Sequence, residues 1–430
     1  MKRILSTILL STLAFILPAQ QECPLEKELY ELPDVIFEKI KPADKNAITY
    51  ELRIKQPIDH NNPDIGYFYQ RAFINHKSYE KPVVFVTEGY TCKSNYPTEL
   101  SRLLDANQLA VEHRYFGESM PDKVGYEYLN LEQASADLHR INSIFKEIYT
   151  GKWVSTGISK GGSTTIFYKY FYPNDVDASV PYVAPINKEF EEQRIYYFLD
   201  TVGDDKCRKR IYDFQLRVLD KEAEILPLLR FYAKGAGLEF NYVNLGQAFE
   251  LAVLEYPFSF FQWGYKCSDI PPKNASAEEL ATYLLSTSNI DFLSDASMIN
   301  YASHYYQSAQ EMGYYGYELD DFKKYLKYLP KDTNPHAAYV PGKLEVRFDD
   351  SLLRKIHPWL RVNGNNMIYI YGAMDTWSAS AVEESDEVDA LWFMMGGEHH
   401  GSARIKNLSD PDKEKLINTL ERWLEIKITE

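Results

Sequence analysis

Trp153-Val154-Ser155-Thr156-Gly157-Ile158-Ser159-Lys160-Gly161-Gly162 is the stretch on which the reading of this 430-residue chain turns. Its first four residues have the character of a buried strand, and a helical pattern follows it. Between them lies a G-x-S-x-G sequence. Gly157 and Gly161 lack side chains, so strand and helix can approach closely enough to form a strained turn. Such a turn lifts the Ser159 hydroxyl above the sheet, at the positive end of the next helix. A merely Gly-rich turn would carry the same letters, but the strand-to-helix context makes Ser159 a candidate nucleophile.

Outward from this turn, short apolar runs alternate with helical periodicity, the sign of a largely parallel α/β sheet. Residues 82–87 and 109–112 read as buried strands. Apolar residues at 131, 134, 138, 141, 144, 145 and 148 predict a helix over 131–149. Residues 47–74 alternate like antiparallel edge strands. From about 190 to 356 the pattern turns helical (210–233, 245–256, 278–285), Tyr is dense, and Pro271-Pro272 and Pro330 punctuate. Strand character returns at 367–371 and 390–394, and an amphipathic helix over 411–426 closes the chain. The expected fold class is α/β, an α/β-hydrolase core with a large helical cap insertion. The core covers 21–189 and 357–430, and the cap 190–356.

A serine hydroxyl needs a base, and the base an orienting acid; on this fold they follow in the order Ser, Asp, His. The strand 367–371 runs into Gly372-Ala373-Met374-Asp375, a position that suits the acid, although an Asp there could equally cap a helix. The next strand runs into Gly396-Gly397-Glu398-His399-His400-Gly401. The residues alone leave His399 and His400 open as the base. The seven other histidines (60, 76, 113, 139, 304, 336, 357) follow no late core strand.

Composition limits the function classes. Acidic residues number 62 against 47 basic, a net charge of −15, so no basic stripe exists for nucleic acid or anionic membrane surfaces. Residues 1–20 combine Lys2-Arg3 with an apolar run over 8–17 ending at Pro18-Ala19, which reads as a signal peptide rather than a span. The mature protein is therefore expected to be exported, periplasmic or extracellular. Four cysteines suit an oxidising compartment; the favoured pairs are 23–92 and 207–267, each within one region of the chain. No metal-ligand spacing is present, and neither metal nor cofactor is expected.

Six stretches then occur in one order: Lys55-Gln56-Pro57-Ile58-Asp59-His60, Tyr69-Gln70-Arg71, 111–119, 131–138, Ser159-Lys160-Gly161-Gly162 and Gly397-Glu398-His399-His400. Together they resemble secreted serine exopeptidases related to prolylcarboxypeptidase and dipeptidyl peptidase II. In that branch the nucleophile is usually followed by Tyr; Lys160 departs from this and is closer to the bacterial tripeptidyl or prolyl aminopeptidase branch. The first His of the family's pair matches His399, so the resemblance assigns the base to His399. It also implies an oxyanion hole from the backbone N–H of Lys160 and a second donor in Glu88-Gly89-Tyr90, with Tyr90 the candidate.

An enzyme acting from the amino terminus of a peptide must recognise a free ammonium, which calls for a carboxylate at a set distance from Ser159. Glu88, Glu311, Asp320 and Asp321 are the candidates, each otherwise a simple surface charge. Glu112, His113 and Glu118 are expected to form a buried ionic brace beneath Ser159 rather than a second catalytic group. Tyr256, Phe258, Phe260, Phe261, Trp263 and Tyr265 suit either an apolar substrate pocket or plain cap core. The expected function is a serine peptidase cleaving peptides from a free N-terminus, with an esterase or lipase, or a catalytically silent binding protein, as alternatives.

Overall fold

The computed structural model describes residues 24–122, 124–331, 339 and 346–428. The expected signal segment and Cys23 lie outside the described residues. Nine strands form one sheet: β1 (Val35–Ile40), β2 (Ile48–Pro57), β3 (Tyr67–His76), β4 (Val83–Thr87), β5 (Asn107–Val111), β6 (Trp153–Ile158), β7 (Ala178–Tyr182), β8 (Met367–Gly372) and β9 (Ala390–Met395). Their spatial order is β1-β2-β3-β5-β4-β6-β7-β8-β9. β1, β2 and β3 pair antiparallel, β3 meets β5 antiparallel, and every pairing from β5 across to β9 is parallel.

The parallel strands are apolar without alternation because both faces are covered. In β4 all five residues are buried. On one face, Ile141, Phe145 and Tyr168 pack beside Phe85 and Trp153. These come from the helices Leu131–Phe145 and Lys160–Phe171. On the other face, Leu416, Leu420 and Leu424 of the helix Asp410–Leu424 cover Val84, Val154 and Val180. The chain leaves β4 for β5 on one side and returns to β6 on the other. The carboxyl ends of β4 and β6 therefore open on the crevice where ligands bind in such sheets.

Between β7 and β8 lie the helices Gln193–Thr201, Asp205–Asp220, Glu222–Ala236, Leu245–Gln262, Ala277–Thr287, Asp295–Asn300 and Ala302–Gln307. They share a core of their own around Phe214, Phe249, Val253 and Leu284. Cys207 and Cys267, an expected pair, are joined by a disulfide that ties the first long helix of this layer to the short turn Cys267–Asp269 that follows the helix Leu245–Gln262. Cys92 is buried and makes no disulfide among the described residues.

Three details depart from expectation. The helical stretch expected over 210–233 is two helices, broken at Lys221. The helix Ser351–Asn363 runs through the expected boundary at 356 and packs on the sheet side, with Leu353, Ile356 and Leu360 against Ile166, Phe167 and Tyr369. β7 is a strand that local pattern hides, because it contains Pro181, which lacks an N–H and argues against a central strand.

Candidate active site

Ser159 sits between β6 and the helix Lys160–Phe171 with φ 58° and ψ −126°, a conformation costly for a residue with a Cβ. The glycines around it make the turn possible. A Cβ on Gly157 would collide with the Gly161 carbonyl, and one on Gly162 would lie 2.7 Å from the Ala184 Cβ. The Ser159 N–H donates to the Tyr182 carbonyl at 2.9 Å, which anchors the turn to β7.

Asp375 follows β8 and is fully buried. One carboxylate oxygen accepts the Trp377 N–H at 3.1 Å, and the other faces Nδ1 of His400 at 2.8 Å. The two oxygens of one carboxylate thus cap the short helix and meet His400, so the cap contact leaves the second oxygen available to the histidine. With Nδ1–H donated to Asp375, His400 keeps Nε2 as an acceptor. The expected assignment of His399 is corrected here. The His399 ring lies so close against Gly264 that a Cβ there would collide with it, and its Nδ1 accepts the Gly401 N–H at 3.3 Å. The alternation of neighbouring side chains explains the difference: only one of two adjacent histidines can turn toward Asp375.

Ser159 and His400 line one cavity of about 770 Å³ between the sheet and the helical layer, together with Tyr90 and Lys160. Lys160 is the first residue of its helix, so its backbone N–H has no intrahelical acceptor. Its side chain turns back beneath the sheet end, where Nζ donates to the Gly89 carbonyl at 2.8 Å and lies over the rings of Tyr90 and Phe116. Burial lowers the Lys160 ammonium to about 7, and the charge of Glu311 partly offsets this. His304, also lining the cavity, is lowered to about 3 by burial and then by the Lys160 charge, so it is neutral at physiological pH.

None of the four expected amine-binding carboxylates lines this cavity. Glu88 is held by the Tyr96 hydroxyl at 2.7 Å, and burial raises its carboxyl above the usual range. Glu311 turns to the sheet side and accepts the Leu131 N–H at 2.8 Å, where a carboxylate suits a helix N-terminus; burial raises it to about 8. Asp320 and Asp321 lie in a different depression on the helical layer, and Asp320 is exposed beside Lys323. The carboxylate that does line the cavity is Glu255, which sequence reasoning missed. Its signal is visible in retrospect: it is the one charged residue between Leu251 and Trp263.

The expected aromatic set divides between its two readings. Tyr256, Phe258, Phe260 and Phe261 are buried, whereas Trp263 and Tyr265 line the cavity. Glu112 behaves as a brace, accepting from Arg71, the Cys92, Glu118 and Ser119 N–H groups and the Ser119 hydroxyl. Glu118 itself is exposed and joins Arg53 instead.

A strained serine turn after β6, a buried aspartate after β8 and a histidine after β9 on this strand order are the arrangement of an α/β-hydrolase. The chain belongs to the PS-10 peptidase S37 family, whose pattern matches residues 24–426, and it is a serine-type peptidase. It is 30% identical to the prolyl tri/tetrapeptidyl aminopeptidase of Streptomyces mobaraensis, over 94% of this chain and 85% of that one. It is 22% identical to the lysosomal Pro-X carboxypeptidase of Bos taurus, over 87% of each. Among solved structures, a proline iminopeptidase of Mycobacterium smegmatis covers 91% of this chain and 98% of its own, with 12% identity and a TM-score of 0.40.

Proposed function

We propose that the protein is an exported exopeptidase that cleaves peptides from a free N-terminus through Ser159, His400 and Asp375. The observation that carries this reading is the 2.8 Å contact of His400 with Asp375 beside a cavity that also holds Ser159 in its strained turn. Ser159 Oγ attacks the peptide carbonyl while His400 Nε2 takes its proton, and Asp375 stabilises the imidazolium. The oxyanion rests on the backbone N–H groups of Lys160 and Tyr90. His400 then protonates the departing amine, and water, deprotonated by the same Nε2, releases the N-terminal fragment from Ser159. Similarity to the prolyl tri/tetrapeptidyl aminopeptidase supports tri- or tetrapeptide release with a preference for proline at the cleavage site. Export is supported by the signal-like residues 1–20 and by the Cys207–Cys267 disulfide.

The test uses purified wild type and Ser159→Ala on chromogenic tripeptides, the same peptides with blocked N-termini, and acyl esters. Wild type should prefer the free-amine peptides, and Ser159→Ala should lose turnover while its Tm stays within a few degrees. Equal turnover of blocked and free peptides would remove the exopeptidase reading, and activity surviving in Ser159→Ala would remove the nucleophile.

A further inference from the structure

Glu255 belongs to the helix Leu245–Gln262, on the helical layer that roofs the cavity. Among the described residues lining that cavity it is the only carboxylate. All three of its hydrogen-bond partners are hydroxyls. Tyr315 and Tyr317 donate to Oε2 at 2.9 and 2.8 Å, and Ser259 donates to Oε1 at 3.0 Å. A carboxylate has about four acceptor sites, so Oε1 retains one. No ammonium or guanidinium among the described residues pairs with it, and burial raises its carboxyl to about 7. A half-buried carboxylate in an apolar wall, held only by neutral donors, has an unmet demand for a cation.

The charges lining the cavity divide between the sheet side and the helical layer. Its two cations sit at the catalytic end: Lys160 follows Ser159, and the Arg404 guanidinium donates to the His400 carbonyl at 3.1 Å. Its one carboxylate sits in the roof. Tyr314, Tyr315 and Trp377, in mutual ring contact, border the same space, and aromatic faces attract cations.

We propose that Glu255 is the receptor for the α-ammonium group of the substrate, seating the peptide with its amino terminus in the roof and its scissile carbonyl at Ser159. This rests on the exopeptidase reading above and names the residue that enforces it. The ligand class is a short peptide with a free, protonated N-terminus. The neutral hydroxyl donors preorganise the carboxylate without neutralising it, and the surrounding rings exclude water from the ion pair. A peptide with a blocked N-terminus would cover Glu255 without supplying a cation, so acylated peptides bind poorly.

The test compares each enzyme's kcat/KM for a free-amine tripeptide substrate with that for its N-acetyl counterpart. Wild type should favour the free amine, and Glu255→Gln should reduce that preference by about 10- to 100-fold, mostly through KM, as expected for loss of a charge-assisted hydrogen bond. Glu255→Asp, which retains the charge but withdraws it by one methylene, should reduce the preference less than Gln does, and it serves as the test should the Gln variant not fold. A preference in Glu255→Gln or Glu255→Asp equal to wild type would overturn the assignment. If wild type itself shows no preference, the exopeptidase reading fails, and the receptor role fails with it. If wild type discriminates and the variants do so equally, only Glu255 is removed.

Discussion

The Lys160 ammonium donates to the Gly89 carbonyl oxygen at 2.8 Å, and that carbonyl shares a peptide plane with the Tyr90 N–H. A trans peptide points its C=O and N–H in opposite directions. Lys160 therefore holds the carbonyl on the buried side and aims the Tyr90 N–H the other way, while its own backbone N–H lies in the neighbouring turn. Gly89 must be glycine for this approach, since a Cβ there would lie 2.6 Å from the Gly161 nitrogen.

Lys160→Met keeps the backbone donor and most of the volume but frees the Gly89–Tyr90 peptide. Loss of one oxyanion donor costs roughly 10²–10³ in kcat. A donor that is loosened rather than deleted should cost about 10- to 100-fold, with KM little changed. Steady-state kinetics on one peptide substrate would show this split, and a change confined to KM would place Lys160 in substrate binding instead.

Glu255 gives substrate binding a pH dependence. Burial raises its carboxyl to about 7; the hydroxyls of Tyr317, Tyr315 and Ser259 counter this, and the phenols of Tyr305, Tyr314 and Tyr339 stand nearby. The carboxylate is charged above that pH, whereas a peptide α-amine is charged below ~8. Affinity for a free-amine peptide should therefore weaken as pH falls from 7 to 5. Calorimetric titration of the Ser159→Ala protein with uncleaved peptide would show the acid limb, and adding Glu255→Gln should flatten it.

A second buried ion pair, Arg114 with Asp137, should matter for stability. Arg114 and Asp137 are fully buried and joined through two bonds of 2.6 and 2.7 Å, and Arg114 also donates to the carbonyls of Pro57, Ile58 and Tyr128. Asp137→Ala strands a buried guanidinium and should cost ~3–5 kcal/mol. Asp320→Ala, which removes an exposed partner of Lys323, should leave stability nearly unchanged. Urea unfolding of the two variants side by side checks the contrast.

What could be read from the residues follows from the range of the interactions involved. The turn at Ser159 and the strands β4, β5, β6, β8 and β9 are local patterns of burial and backbone freedom, so they were legible. Asp375 was legible too, because it follows a strand by a fixed short distance. The choice between His399 and His400 depends on which way one side chain turns toward a carboxylate 25 residues away, and no local pattern records that. Glu311 looked suitable by its motif, but its partner is the N-terminus of a helix 180 residues earlier. Glu255 was overlooked because its helix reads as apolar packing, although a lone carboxylate in such a helix needs a partner.

The pairing of His400 with Asp375 is tested most directly by measuring kcat for His400→Gln and His399→Gln on the same free-amine peptide substrate, with Tm recorded for each. His400→Gln should lose about 10⁴-fold in kcat, while His399→Gln, whose ring packs on Gly264 away from the acid, should stay within a few-fold of wild type. A large loss in His399→Gln with His400→Gln nearly intact would contradict the site described.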